Sequence, residues 1–205
     1  MTANTTHRIA LIYLAAGASR RMGRDKALLP WHGRTVVAHH LETLALLQGV
    51  DPWIVTRPED DALTRELDQI GWPPKYRVVN PQAPDCEMME SIIVGARGAL
   101  EYPYSAIAIA LIDQARINPS TLAALADGHA ERPDHILQPV YGGRRGHPVL
   151  LPCGIAKQLT QAGAPTFKHF LAEQESARGA IEVNDPGVVT DMDTPEAYRA
   201  QLLST

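Results

Sequence analysis

Arg8-Ile-Ala-Leu-Ile-Tyr-Leu14 runs without a break into Ala15-Ala16-Gly17-Ala18-Ser19-Arg20-Arg21-Met22-Gly23-Arg24-Asp25-Lys26. The first half is short, apolar and partly β-branched, the pattern of a strand buried on both faces. The second half turns at once to small residues, so it predicts a loop at that strand's carboxyl end, where open α/β sheets bind their ligands. Ala15, Ala16, Gly17, Ala18 and Ser19 let backbone N–H groups approach an anion, while Arg20, Arg21, Arg24 and Lys26 gather positive charge in the same loop. Phosphate suits this chemistry. The competing reading is a solvated basic turn whose glycines serve the backbone alone. The Walker A spacing fails, because Met22 stands where its second glycine belongs, and G-x-G-x-x-G is absent too.

Outward from this stretch, strands and helices alternate. Thr35 to Leu47 puts Val37, Leu41, Leu44 and Leu47 on one helical face, with Thr35 as N-cap and Gly49 past the end. Strands are expected at Trp53–Thr56, Tyr76–Val79 and Ser105–Ile112, and helices at Pro58–Ile70, Glu87–Leu100 and from Asn118-Pro119 to about Ala130. That rhythm predicts a parallel sheet wrapped by helices. It then breaks: His135–Tyr141 and His147–Leu151 are strand-like runs joined by Gly142-Gly143-Arg144-Arg145-Gly146, either a hairpin or a flexible arm, which predicts a mixed edge. Helices at Gly154–Gln161 and Pro165–Gln174, a strand at Ile181–Asn184 and a helix after Thr194-Pro195 complete the reading.

The 205 residues suit one α/β domain spanning residues 1–205, and 45% apolar with 20% charged residues excludes disorder, collagen-like and coiled-coil classes. A net charge of −4 gives no reason to expect nucleic acid as a partner. Cys86 and Cys153 form no metal or disulfide spacing and read as free thiols. Ile9–Ala18 and Ala106–Ile112, the longest apolar runs, are too short to cross a bilayer, and Met1–Arg8 is too polar to open a signal peptide. A cytoplasmic protein with no membrane partner is expected.

The loop resembles the signature L-A-A-G-x-S-x-R-M-G-x-x-K of the MobA-like nucleotidyltransferases, filled by Leu14, Ala15, Ala16, Gly17, Ser19, Arg21, Met22, Gly23 and Lys26. Leu28-Leu29-Pro30-Trp31 and Gly33 extend the likeness toward molybdenum cofactor cytidylyltransferases. The resemblance implies a Rossmann-like nucleotidyltransferase fold, with a mostly parallel sheet, helices on both faces and a small antiparallel edge. It implies that the loop from Leu14 through Ala18 to Ser19, with Ser91, wraps a nucleoside triphosphate, and that Lys26 and Arg21 serve its phosphates. Ala16 favours CTP over GTP, since the guanylyl branch usually has glycine there.

Nucleotidyl transfer to a phosphate needs in-line attack at the α-phosphorus, and a hard cation to offset the clustered charge. Magnesium takes one or two protein carboxylates, so an aspartate is expected at a strand end near the loop. Asp113 directly follows the Ala106–Ile112 run, though a plain turn aspartate would stand there equally well. In Val189-Thr-Asp-Met-Asp-Thr-Pro-Glu-Ala-Tyr198, Asp191 and Asp193 point the same way if the segment is extended, and the bland alternative is a helix start. The segment resembles the family's D-I-D-T-P-E-D-Y motif, which implies Asp193 as a metal ligand, with Asp191 second.

Arg145-Gly146-His147-Pro148-Val149 resembles the family's R-G-H-P-V motif, which implies that Arg145, His147 and Gln114 position the acceptor. The His39-His40 pair reads as ordinary helix or surface residues. Two departures stand out: Ile112-Asp113-Gln114-Ala115 replaces G-D-Q-P, and Glu87-Met88-Met89-Glu90-Ser91 replaces a G-M-x-x-S segment. The function implied is Mg²⁺-dependent transfer of CMP from CTP to molybdopterin or a related phosphorylated pterin, with a molybdoenzyme as a recipient. Alternatives are another NTP or acceptor, or a catalytically weak protein that hands cofactor to a partner.

Overall fold

The computed structural model describes residues 8–19, 21–83 and 87–203; Arg20 and Cys86 lie outside the described residues. The chain opens with β1 (Ile9–Leu14), then a two-stranded hairpin of β2 (Pro30–Trp31) and β3 (Arg34–Thr35). Next come α1 (Val36–Ala45), β4 (Val50–Thr56), α2 (Asp61–Gln69), β5 (Arg77–Val79), α3 (Met88–Ala99) and β6 (Ala106–Leu111). The second half is α4 (Pro119–Glu131), β7 (Ile136–Tyr141), β8 (Arg144–Arg145), β9 (Val149–Pro152), α5 (Cys153–Leu159), α6 (Phe167–Glu173), β10 (Arg178–Glu182) and α7 (Pro195–Leu203). Among the described residues no helix is long and apolar enough to cross a membrane.

The main sheet runs β10-β7-β9-β6-β1-β4-β5, with β8 paired to β7. Its pairs are parallel except those made by β8 and β9. β1 is central, and all six of its residues are buried, as an apolar run between two parallel neighbours requires. The chain steps outward from β1 through β4 to β5, then crosses back to β6 on the other side of β1. Because such crossovers are right-handed, the reversal places α1 and α3 on opposite faces. It also creates a switch point between β1 and β6, whose ends are in register at Leu14 and Leu111.

Two helices aim the site. Thr35 Oγ1 accepts from Ala38 N at 3.2 Å and so caps α1, as its sequence implied. α3 lies unusually close to the sheet: a Cβ on Gly95 would come within 2.7 Å of a Val55 methyl and 2.9 Å of one on Ile12. Only glycine permits that approach, and it brings Ser91, one turn earlier on the same face, to the end of β1.

Several boundaries differ from the sequence reading, among them α2, which starts at Asp61 and not Pro58 because Asp60 caps it. β4 starts at Val50, ahead of the expected Trp53, because pairing with Ile9 carries the ladder through Asp51-Pro52. β10 occupies 178–182 and stops short of Asn184, because its register is set by β7, from Arg178 opposite Ile136 to Glu182 opposite Val140. The glycine-rich link after β7 is a turn to β8, while β9 inserts antiparallel between β6 and β7.

Candidate active site

The loop after β1 is folded by its own polar groups. The Ser19 carbonyl accepts from Met22 N at 3.0 Å and Gly23 N at 3.1 Å, and Ser19 Oγ accepts from Lys26 N at 3.3 Å. Asp25 then caps a short 3₁₀ turn, its Oδ1 accepting from Ala27 N at 2.9 Å. These bonds double the chain back so that Lys26 faces the switch point. Ala15 N–H donates to Val55 O at 2.9 Å, so the sheet already uses that donor.

Across the crevice stand the carboxylates. Lys26 Nζ lies 2.7 Å from Asp113 Oδ2 and 2.6 Å from Asp193 Oδ1. The second oxygen of Asp193 pairs with Arg21 at 2.8 Å, a contact on a largely exposed side chain. The loop that follows β6 and the extended segment before α7, far apart in sequence, are thus joined through one ammonium, and Met192 N reinforces the join by donating to the Asp113 carbonyl at 3.1 Å. Burial opposes the charge on Lys26, but the hydrogen bonds and charges of the two aspartates outweigh it and hold its pKa above the usual lysine value. Asp193 is pulled below the ordinary carboxylate range, chiefly by the hydrogen bond from Lys26. Asp191 is pushed up by burial and by the charges of Asp193 and Asp113.

A cavity of about 360 Å³ opens here. Leu14, Ala15, Ala16, Gly17 and Ser19 form one side, Leu111, Ile112 and Asp113 the other, with Lys26, Asp25, Asp191 and Asp193 between them and Ala83, Glu87, Met88 and Ser91 across the mouth. Asp191 and Asp193 both reach the cavity because the intervening Met192 is fully buried on the other side of the extended segment. Ala18 is exposed and lies outside the lining, as does Arg21, which touches the site through Asp193.

The donor set fits a hard divalent cation. Asp113 Oδ1 is buried and has no hydrogen-bond partner among the described residues, so one carboxylate oxygen is set aside from the protein's own bonding. Among the described residues no group of three or more His, Cys, Asp or Glu forms a ready metal cage, so Asp191 does not join Asp113 and Asp193 in one. Two carboxylates without a cage match an ion that completes its shell with water and substrate oxygens.

The residues expected on the acceptor side lie elsewhere. Gln114 is buried and its amide donates to Val188 O at 3.4 Å. His147 donates from Nδ1 to Ile109 O at 3.2 Å and from its backbone N to Val188 O at 3.0 Å, and burial lowers its pKa. Arg145 is exposed and reaches Gly179 O at 3.3 Å. The R-G-H-P-V segment therefore stitches β6, β7 and the 186–189 turn together and does not line the cavity.

Three residues that the sequence reading passed over hold the site. Arg57, just past β4, donates to Gly17 O at 3.1 Å and to Asp25 Oδ2 at 2.6 Å, and pairs with Asp60 at 2.9 Å, so it ties both ends of the loop to one strand end. Asn80, fully buried, donates to Ser91 Oγ at 2.9 Å. His40 is no surface residue: it is 2% exposed and its Nε2 donates to Ile112 O at 3.1 Å. His39 meets the backbone of Ala115, so the histidine pair brackets Asp113. Arg57 carried a weak signal, as a cation directly after a strand; the role of His40 depends on a partner too distant in sequence to leave one.

A mostly parallel sheet whose switch point gathers a glycine loop, a lysine and two aspartates defines a nucleotide-handling α/β enzyme. The profile of the MobA-like NTP transferase domain matches residues 11–178, and the chain belongs to that family of nucleotidyltransferase-type enzymes. Nicotine blue oxidoreductase of Paenarthrobacter nicotinovorans is 30% identical over 195 residues, covering 90% of this chain and 92% of that protein. The purine catabolism protein PucB of Bacillus subtilis is 28% identical over 196 residues, covering 91% and 92%. Rv0371c of Mycobacterium tuberculosis, solved in complex with manganese, shares the fold with a TM-score of 0.70 at 22% identity, over 97% of this chain and 100% of that chain.

Proposed function

We propose that this protein transfers CMP from CTP to molybdopterin, or to a related phosphorylated pterin, with release of pyrophosphate and with Mg²⁺ or another divalent cation as cofactor. The observation that carries the reading is the Lys26 ammonium held between Asp113 and Asp193 at the mouth of the glycine loop. The carboxylates of Asp113, Asp191 and Asp193 outnumber the cations Lys26 and Arg21 beside them, so added positive charge favours entry of a triphosphate. Asp113 and Asp193 would hold the divalent cation, and Rv0371c, a protein of the same fold, binds manganese. When bound, such an ion offsets charge on the transferred phosphorus and on the leaving pyrophosphate.

The chain's own residues do the rest. Backbone from Ala16 to Ser19 and the hydroxyl of Ser91 bind the nucleotide; Lys26 and Arg21 orient its phosphates; Arg57 keeps the loop in shape from behind. No general base is required, because an ionised phosphate is already a nucleophile, and positioning for in-line attack then carries the reaction. Ala16 supports cytosine as the base. A product passed to a molybdoenzyme fits this reading.

A second acceptor class is favoured by one specific observation: Glu87 and Met88 line the cavity mouth, where a carboxylate repels a phosphorylated ligand. The curated relatives, named for nicotine blue and for purine catabolism, agree with acceptor or pathway variety within the family. Pyrophosphate release should be measured with each of the four NTPs, Mg²⁺ or Mn²⁺, and a panel of phosphorylated acceptors including molybdopterin. CTP with molybdopterin is expected to be the productive pair. A GTP preference, or release with a different acceptor alone, would replace it.

A further inference from the structure

Nucleotidyl transfer needs a second substrate beside the α-phosphorus, and Gln114, Arg145 and His147 lie outside the lining of the first cavity. A second cavity, of about 360 Å³, adjoins the first. Asp191 belongs to both linings, so the two spaces share this residue as a wall. The second is walled by Arg116 and Thr190, with Ala197 and Ala200 of α7 as an apolar side. Arg116 is exposed and lies three residues after Asp113, so one loop supplies a carboxylate to the first cavity and a cation to the second.

These walls are fixed in place. Asp185 laces the two loops that form them: its Oδ1 accepts from Gly187 N at 2.9 Å, and its Oδ2 accepts from Asn118 N at 2.8 Å and Thr121 Oγ1 at 2.7 Å. The loops touch so closely that a Cβ at Gly187 would lie 2.4 Å from the Arg116 carbonyl oxygen, which only glycine allows. A seat built this way binds with little ordering cost.

We propose that this second cavity seats the acceptor of nucleotidyl transfer, a phosphate monoester whose anion is held by Arg116 and whose organic part lies on Ala197 and Ala200. The assignment rests on the nucleotidyl-transfer reading above. A guanidinium selects an oxyanion with paired N–H donors, which a hydroxyl acceptor does not exploit. In the reaction, a monoester oxygen forms a bond to the α-phosphorus while the bond from that phosphorus to the bridging oxygen breaks. Pyrophosphate leaves with the electron pair, and the monoester dianion has no proton to lose.

The test is an amide-resolved NMR titration of the full chain with two probes: α,β-methylene CTP with Mg²⁺, then phenyl phosphate. The nucleotide analogue is expected to move the signals of Gly17 and Ser19, and phenyl phosphate those of Arg116, Gly187 and Thr190. Arg116→Gln should weaken phenyl phosphate at least tenfold, Arg116→Lys less, and neither should change affinity for the nucleotide analogue by more than about twofold. Should the loop respond while phenyl phosphate leaves Arg116 and Thr190 unmoved, or bind Arg116→Gln as well as wild type, the acceptor assignment fails alone. Equal binding of phenol at these residues overturns the anion class. If the nucleotide analogue leaves the loop unmoved, the transfer reading falls and the acceptor assignment falls with it.

Discussion

The wall of the crevice that carries the glycine loop is held mainly by neighbours in sequence: Ser19 binds Met22, Gly23 and Lys26, and Asp25 binds Ala27. The opposite wall, Ile112 to Ala115, is held from far away, by His40 on α1, by Met192 before α7 and by Val188 behind Gln114. The first can be inherited as a motif. The second is an agreement between distant parts of the chain, and it tolerates Ile112 and Ala115 where the G-D-Q-P pattern that this segment resembles has glycine and proline. Both replacements are buried, at 7% and 1% exposure, and His40 pins the Ile112 carbonyl, so packing takes over from local turn chemistry.

If Asp113 and Asp193 work through one shared cation, breaking either carboxylate should have the largest effect. Asp113→Asn and Asp193→Asn should each lower turnover by about a hundredfold or more, and the double variant should be little worse than either single one, because groups acting as a unit are not additive. Steady-state kinetics of the three variants decide this. Multiplying effects would mean that the two carboxylates act separately.

Lys26 joins the walls, so its loss should come next. Lys26→Ala removes a charge-assisted contact of roughly 1.5–3 kcal/mol to phosphate and should reduce kcat/KM for the nucleotide at least tenfold. Isothermal titration with the nucleotide and Mg²⁺ separates lost binding from lost turnover; unchanged values in a folded variant would remove Lys26 from the site.

Arg57 tests how local the first wall is. Arg57→Lys keeps a cation but cannot reach Gly17 and Asp25 as a fork, and it should raise KM for the nucleotide about threefold to tenfold with a smaller change in kcat. A fall in kcat alone would place the role of Arg57 outside the loop.

This division explains what the sequence disclosed. The strand-loop pair at residues 8–26, the caps Thr35 and Asn118, and the aspartates at 113 and 193 were legible, since each depends on periodicity, cap chemistry or a motif within a few residues. The hairpin of β2 and β3 was not, because its strands have two residues each and its turn puts His32, not only Gly33, at positive φ. The R-G-H-P-V segment kept its sequence, yet its side chains turn to Ile109 and Gly179, so the motif reports packing here and not a cavity wall. Arg57 and His40 were hidden for one reason. Their partners, Gly17 and Ile112, are 40 and 72 residues away, and only the folded sheet brings them together.

The smallest expected effect concerns how the distant wall responds to acid. His40 is fully enclosed, and burial lowers its pKa from 6.5 to about 4. Between these values the unfolded chain binds a proton that the folded chain refuses, so stability rises with pH across this window and is lost as pH falls from about 6.5 toward 4. For a shift of this size the loss between pH 7.5 and 5 is about 2 kcal/mol. His40→Gln keeps an N–H donor for the Ile112 carbonyl while removing the titration. It should flatten the difference in urea-unfolding free energy between pH 7.5 and 5 by about that amount and leave turnover at pH 7.5 within about twofold. His40→Leu, which leaves the Ile112 carbonyl unpaired, should cost about 1–3 kcal/mol at either pH and lower turnover further by loosening Asp113. Equal pH slopes for wild type and His40→Gln would assign the acid sensitivity to other groups. Equal turnover for the Gln and Leu variants would show that the far wall stands without its histidine.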